Sequence, residues 1–316
     1  MHSIVKEYCM HYTKPVKEVL SLNQATLATL RYFDMLDFPL TLAEIEEFLY
    51  GWSAPREAIE ECVKNLHGIG HKDGFYFLDG REELVALRKE REKNTHRLWK
   101  TAARWSWITA LCPFVNMVAV CNSLAYGNCK AESDIDLFII TEDKHLYTAR
   151  FFMKILTQLF CKRVHHDKIT GRFCLSFFVS ESALDLGKLA HPFDPHLAYF
   201  ARTMTPLLGK RTYLKWLEEN DKWTFFYFKR DLAPRTSKIR IYPVFAAIKF
   251  IFESILRLGG RFLENWLYDL QVKKDNLRKK TLKDQSGVVI TKSVFKFHEQ
   301  DPRADFAKRV ESANPA

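Results

Sequence analysis

Glycine is scarce in this sequence, 12 residues of 316, while phenylalanine reaches 25. A chain short of the residue that turns most freely and rich in large rings points to many helices packed through aromatics. No CxxC pair and no His/Cys ligand spacing occurs among the seven cysteines, Cys9, Cys62, Cys112, Cys121, Cys129, Cys161 and Cys174, which argues against a structural zinc site. An odd number cannot all pair, so reduced thiols in a cytoplasm are expected. No charged-then-apolar leader opens the chain, and secretion is not expected. A bilayer span is also lacking. The best candidate, Tyr242 to Leu258, carries Lys249, Glu253 and Arg257 four residues apart, the polar face of an amphipathic helix. No membrane partner is therefore expected.

What is present is a large apolar content, 47%, enough for a sizeable core and for two or three domains. The net charge of +10 is unevenly spread: Lys229 to Asp284 holds 14 Lys/Arg against 6 Asp/Glu, a surplus of 8. A basic surface of this kind either holds RNA, DNA or nucleotide phosphates by non-specific charge or is a solvated helix face.

The stretch around which the chain is organised runs from Val118 to Thr141, VAVCNSLAYGNCKAESDIDLFIIT. It reads as a strand, a loop or short helix, and a second strand. Successive side chains of a strand alternate faces, so Asp134 and Asp136 project together while Ile135 and Leu137 enter a core. Two carboxylates side by side repel, and a cation relieves them; paired acids ahead of a buried strand suit Mg²⁺ ions that clamp a triphosphate. Ser123 precedes Asp134 by ten residues, with Gly127 between, so a hydroxyl and free N–H groups face the same region. Asn122 and Ser133 flank that loop and complete the candidate binding residues.

Together these residues resemble the nucleotidyltransferase superfamily related to DNA polymerase beta, whose signature is an apolar strand, Gly-Ser, a spacer of about ten residues and Asp-apolar-Asp/Glu-apolar. Here it reads Asn122-Ser123, spacer, Asp134-Ile135-Asp136-Leu137. Asn in place of the first Gly is a departure, because only glycine moves freely to positive φ. The resemblance implies a small mixed sheet, Mg²⁺ on Asp134 and Asp136, an NTP substrate with a phosphate on Ser123, and a third carboxylate on the strand after the next helix. That strand is Arg172 to Val179, which contains no acid. Alternation puts Cys174, Ser176 and Phe178 on one face, with Ser176 as the site-facing residue. Slow transfer or none, with nucleotide binding preserved, is the consequence.

Taken in order, residues 1–22 read as a lead-in helix, and Leu27, Leu30 and Phe33 mark a helix that stops before Phe38-Pro39. Thr41-Leu42-Ala43-Glu44 is a capping box, Ser53 before Ala54-Pro55 opens a third helix, and Asp73-Gly74 between extended runs is a hairpin turn. Three helices and a hairpin resemble a winged helix-turn-helix. The third helix, however, carries Arg56 and Lys64 against Glu57, Glu60 and Glu61, an acidic excess unsuited to a groove lined by phosphates. Sequence-specific DNA binding is not expected from it. A bridging helix follows from Glu82 to about Leu111, and a helix from about Lys144 to Phe160 lies between the second and third core strands. His165-His166-Asp167 reads as a polar turn, since adjacent histidines in a strand point to opposite faces. Beyond Leu189 the signals are helical, with a break at Gly259-Gly260 and a mobile charge run from Lys273 to Asp284.

The sequence thus predicts an α+β protein in three parts: a winged-helix-like domain over 1–90, a nucleotidyltransferase core over 91–185, and a helical domain with a basic tail over 186–316. The expected function is metal-dependent transfer of a nucleoside monophosphate from NTP to an unknown acceptor hydroxyl, with RNA or another acceptor at the basic C-terminal region. Two alternatives stand beside it: a weak or inactive nucleotide-binding scaffold on the same fold, and a winged-helix DNA-binding regulator.

Overall fold

The structure is a computed structural model that describes residues 20–165, 168–237, 239 and 242–311. The lead-in helix expected over 1–22 falls almost wholly outside the described residues, as do His166 and Asp167 of the polar turn.

The first described helix, α1 (Leu22–Asp34), opens on a capping box in which Ser21 and Gln24 exchange hydrogen bonds. A two-residue strand, β1 (Leu40–Thr41), leads into α2 (Leu42–Phe48), which starts at the Thr41/Glu44 capping box the sequence predicts. Helix α3 (Arg56–Asn65) begins at Pro55 with no side-chain cap. Ser53, expected to open it, instead accepts a hydrogen bond from Arg230 Nε at 3.1 Å, and the fixed φ of Pro55 supplies the start. Strands β2 (Ile69–Lys72) and β3 (Phe75–Leu78) pair antiparallel across Asp73-Gly74, both at positive φ (53° and 81°), the backbone that a two-residue hairpin of primed type requires. β1 adds to β3, giving the order β1-β3-β2.

Helix α4 (Leu84–Ala110) then carries the chain to a mixed six-stranded sheet. Its strands are β4 (Val115–Val120), β5 (Ile135–Thr141), β6 (Phe173–Ser180), β7 (Thr205–Leu208), β8 (Val288–Ile290) and β9 (Val294–Phe297), in the order β7-β4-β5-β6-β9-β8. Only β5 and β6 run parallel, joined by α6 (Leu146–Leu159), while the short α5 (Asn122–Tyr126) joins β4 to β5. Ile135, Leu137 and Ile139 pack on one face with α4 and α6. Phe138 and Ile140 pack on the other, with α7 (Pro195–Thr203) and α8 (Lys210–Phe228). The N-terminal helices share that second core: Tyr199 donates to the Phe48 carbonyl at 2.9 Å and Arg202 Nε to the Glu47 carbonyl at 2.8 Å.

Three expectations for residues 186–316 are corrected. The region is not purely helical, since β7, β8 and β9 come from it and complete the central sheet. Helix α9 (Pro243–Lys279) bends at Gly260 (φ 44°, ψ −137°) but continues through most of the expected charge run, where Asp275 is buried against Arg150 at 3.3 Å. Its polar stripe faces inward. Glu253 accepts the Phe114 N–H at 2.6 Å, Lys249 donates to the Val115 carbonyl, and the buried Glu264 accepts the N–H groups of Tyr147 and Thr148 at 2.9 and 2.8 Å. The orphan donors in the first turn of α6 and the unpaired groups at the start of β4 need these partners, so Val244, Phe250, Ile251, Ile255 and Leu258 are left outside. A small helix, α10 (Arg303–Glu311), closes the described chain and packs on α1 and α7. Among the described residues no helix is long and apolar enough to cross a membrane.

Candidate functional site

The β4-α5-β5 turn brings Asp136 to the lining of a cleft of about 1220 Å³. Cys121 N–H donates to the Asp136 carbonyl at 3.1 Å, which closes β4 onto β5. Asn122 follows in the left-handed region (φ 53°), a conformation that asparagine tolerates better than other non-glycine residues. Its amide donates to Asp136 Oδ2 at 3.1 Å. The residue standing where the resembled signature has glycine therefore adopts the backbone glycine would, and adds a hydrogen bond to a carboxylate. Ser123 lines the cleft, and Cys129 Sγ approaches its hydroxyl at 3.9 Å.

Two expected residues serve the loop. Gly127 (φ 87°) ends α5, with its N–H on the Ser123 carbonyl. Ser133 accepts the Lys130 N–H at 2.9 Å, and its carbonyl takes the Gly171 N–H at 3.0 Å. Neither belongs to the cleft lining.

Asp136 pairs with Cys174 across the parallel β5–β6 ladder, but Phe138 pairs with Phe177, so β6 carries one extra residue between these rungs. That irregularity overturns the alternation expected there: Cys174 lies beside Asp136, while Phe178 packs in the core on the opposite side of the sheet. Cys174, and not Ser176, is therefore the β6 side chain next to the acids. Ligand atoms of Asp134, Asp136 and Cys174 lie within 4.8 Å of one another. Ser176 still lines the cleft, with its hydroxyl 3.1 Å from His298 Nε2.

Burial, then the charge of Asp136, pushes the Asp134 carboxyl up, and burial raises Asp136 in spite of the Asn122 hydrogen bond. Burial also pushes the Cys174 thiol far above its ordinary range, with the two neighbouring carboxylates adding to it. Each group thus resists ionisation while the others are ionised, which is the electrostatic condition a bound cation relieves.

The cleft as a whole is basic: seven Lys/Arg and four Asp/Glu, Asp136 included, line it. Burial lowers Lys154 to about 7, with Arg150 and Arg163 adding to the effect, and lowers Lys296 to about 8. These residues were not singled out from sequence. Lys296 lies in Val294-Phe295-Lys296-Phe297, where a period-two apolar pattern after Thr291-Lys292-Ser293 was the available signal for a hairpin strand. No family model, curated protein or solved structure matches the chain.

Proposed function

We propose that this chain is a divalent-metal-dependent nucleotidyltransferase that moves a nucleoside monophosphate from NTP to an acceptor hydroxyl. The observation that carries the reading is the convergence of Asp134, Asp136 and Cys174, with Asp136 and Cys174 lining one cleft beside Asn122 and Ser123. Paired carboxylates held close in a half-buried setting fit a hard cation such as Mg²⁺, and the neighbouring thiol is compatible with a softer divalent ion. A metal on Asp134 and Asp136 supplies neutralisation of triphosphate charge when bound. Asn122 orients Asp136, the Ser123 hydroxyl offers a donor to a phosphate oxygen, and the basic residues of the cleft hold anionic groups of the substrates. In the same reading, the three helices and small sheet over 22–78 are a winged-helix-like unit used for packing. The acidic exposed side of α3 and the core shared with α7 disfavour a DNA-reading role.

One observation favours a second reading, a nucleotide-binding protein with little turnover: Cys174 stands on β6 where the resembled superfamily carries its third carboxylate. A carboxylate there acts as general base or orienting group, a role worth about a hundredfold or more. Incubation with each labelled NTP, Mg²⁺ or Mn²⁺ and cell extract tests both. Transfer of label to an acceptor, lost in Asp136→Asn, supports the enzyme. Label that stays on bound NTP in the wild type and is transferred by Cys174→Asp supports the binding protein, and no metal-dependent NTP binding in any form contradicts both.

A further inference from the structure

Lys296 is only 4% exposed, yet it lines the cleft. Among the described residues its ammonium has no hydrogen bond or ion pair within 4 Å; it lies 5.9 Å from the ring of Phe177. The acids near it are already engaged. Asp301 takes Arg303 Nε and Nη2 at 2.8 and 2.6 Å, while Asp194 takes Arg303 Nη1 at 3.1 Å and the Leu197 N–H at 2.9 Å. A charged amine taken out of water without a partner is costly, and such groups ordinarily have a counter-charge or carry a function.

The position gives this cation a direction. Lys296 pairs with Phe177, and Phe177 with Phe138, so Lys296 shares the sheet face of Asp136. β5 and β9 are two strands apart, about 10 Å across the sheet, and Asp136 stands a further two residues, about 7 Å, along β5 from the rung that Lys296 shares with Phe177 and Phe138. The Ser176–His298 pair lies between them on the same cleft. The cleft, about 1220 Å³, exceeds the range of roughly 300–1,000 Å³ that serves one small ligand. Room for a second molecule therefore exists beyond the nucleotide.

We propose that Lys296, with Ser176 and His298 beside it, seats a terminal phosphate monoester carried by a small acceptor, on the same sheet face as the aspartates. Assigning the phosphate to the acceptor rests on the nucleotidyl-transfer reading; the anion seat itself does not. A compact ammonium with hydroxyl and imidazole neighbours suits the three oxygens of a phosphate better than the planar fork of a carboxylate, which arginine matches. Lys296 is almost wholly buried in the cleft lining, so only a terminal group that reaches it makes the contact. Arg163 on the lining adds to the positive field and draws such a ligand in.

The test is calorimetric titration of inorganic phosphate into the full chain, free of metal and nucleotide, followed by a sugar phosphate and a 5′-phosphorylated RNA oligonucleotide. Wild type should bind phosphate and the sugar phosphate, and Lys296→Gln should weaken both by at least about tenfold, the loss of one charge-assisted contact. Lys296→Arg should retain most of the affinity. Lys296→Gln should also melt no lower than wild type, because it removes an unpaired buried charge, so its loss of binding cannot be ascribed to unfolding. No phosphate binding by wild type, or unchanged affinity in Lys296→Gln, overturns the seat. Binding of the oligonucleotide without the sugar phosphate overturns the small acceptor. Lys296-dependent phosphate binding by a protein that binds no NTP leaves the seat standing and removes the nucleotidyl-transfer reading.

Discussion

Asn122 and Cys174 mark how far single residues can be read. The departure at Asn122 was visible as a possible obstacle to close phosphate approach, yet asparagine reaches φ 53° there and turns its amide onto Asp136. Cys174 was assigned to the same strand face as Ser176 by counting in twos, and the count fails because one extra residue is inserted between the rungs at Asp136 and Phe138. Nothing local in Phe173-Cys174-Leu175-Ser176-Phe177 marks that insertion; the register follows from which aromatics fill the core. Two histidines on the cleft give a prediction at this scale. Burial lowers His196 to about 3 and His298 to about 4. A histidine whose folded pKa is depressed stabilises the fold above its ordinary value near 6.5, and that contribution is lost as pH falls toward the folded value. Denaturant unfolding should therefore show stability declining from about pH 6.5 to pH 4, by up to about 1.4 kcal/mol per pH unit for each histidine. His298→Gln should flatten the slope, and a pH-independent midpoint in wild type contradicts the assignment.

At the scale of elements, helices with caps or long apolar periods were legible: the Thr41/Glu44 box, the bridging helix and the break at Gly260 all appear where the sequence puts them. Strands of three or four residues, β7, β8 and β9, were not, because two alternations are too few to separate from a loop or a helix end. Helix α9 was legible as amphipathic but not in its orientation. Periodicity says that polar residues share a face and does not say what they meet; here they meet the first turn of α6 and the start of β4. Glu264→Ala should accordingly lower stability by about 2–4 kcal/mol, since it strands two buried N–H groups. Phe250→Ser on the outer side should stay within about 0.5 kcal/mol. Equal losses in thermal or denaturant unfolding would reverse the inferred orientation.

For the whole molecule, the domain limits drawn from sequence miss how the sheet is assembled. Residues 91–185 provide β4, β5 and β6, but the edge strand β7 and the pair β8–β9 arrive from beyond residue 186. Lys274, Arg278, Lys296 and Arg303 of the cleft lining are thereby brought to the same cleft as Asp136, which stands about 140–170 residues earlier in the chain, a juxtaposition that no window of sequence displays. The +8 surplus between Lys229 and Asp284 is partly matched by exposed ion pairs such as Arg257 with Glu142 and Arg278 with Glu299, and partly lines the cleft through Lys274 and Arg278. A cleft that sets Asp136 among a surplus of lining cations suits a polyphosphate that binds through metal at the aspartates. The measurement that tests this most directly is NTP affinity with and without Mg²⁺, in wild type and in the Asp134→Asn/Asp136→Asn double variant. The account predicts metal-dependent binding in wild type, and a loss of about a hundredfold or more in a double variant that folds normally, since removing both carboxylates removes the metal seat. Affinity unchanged by the double substitution, or indifferent to the metal, would contradict it.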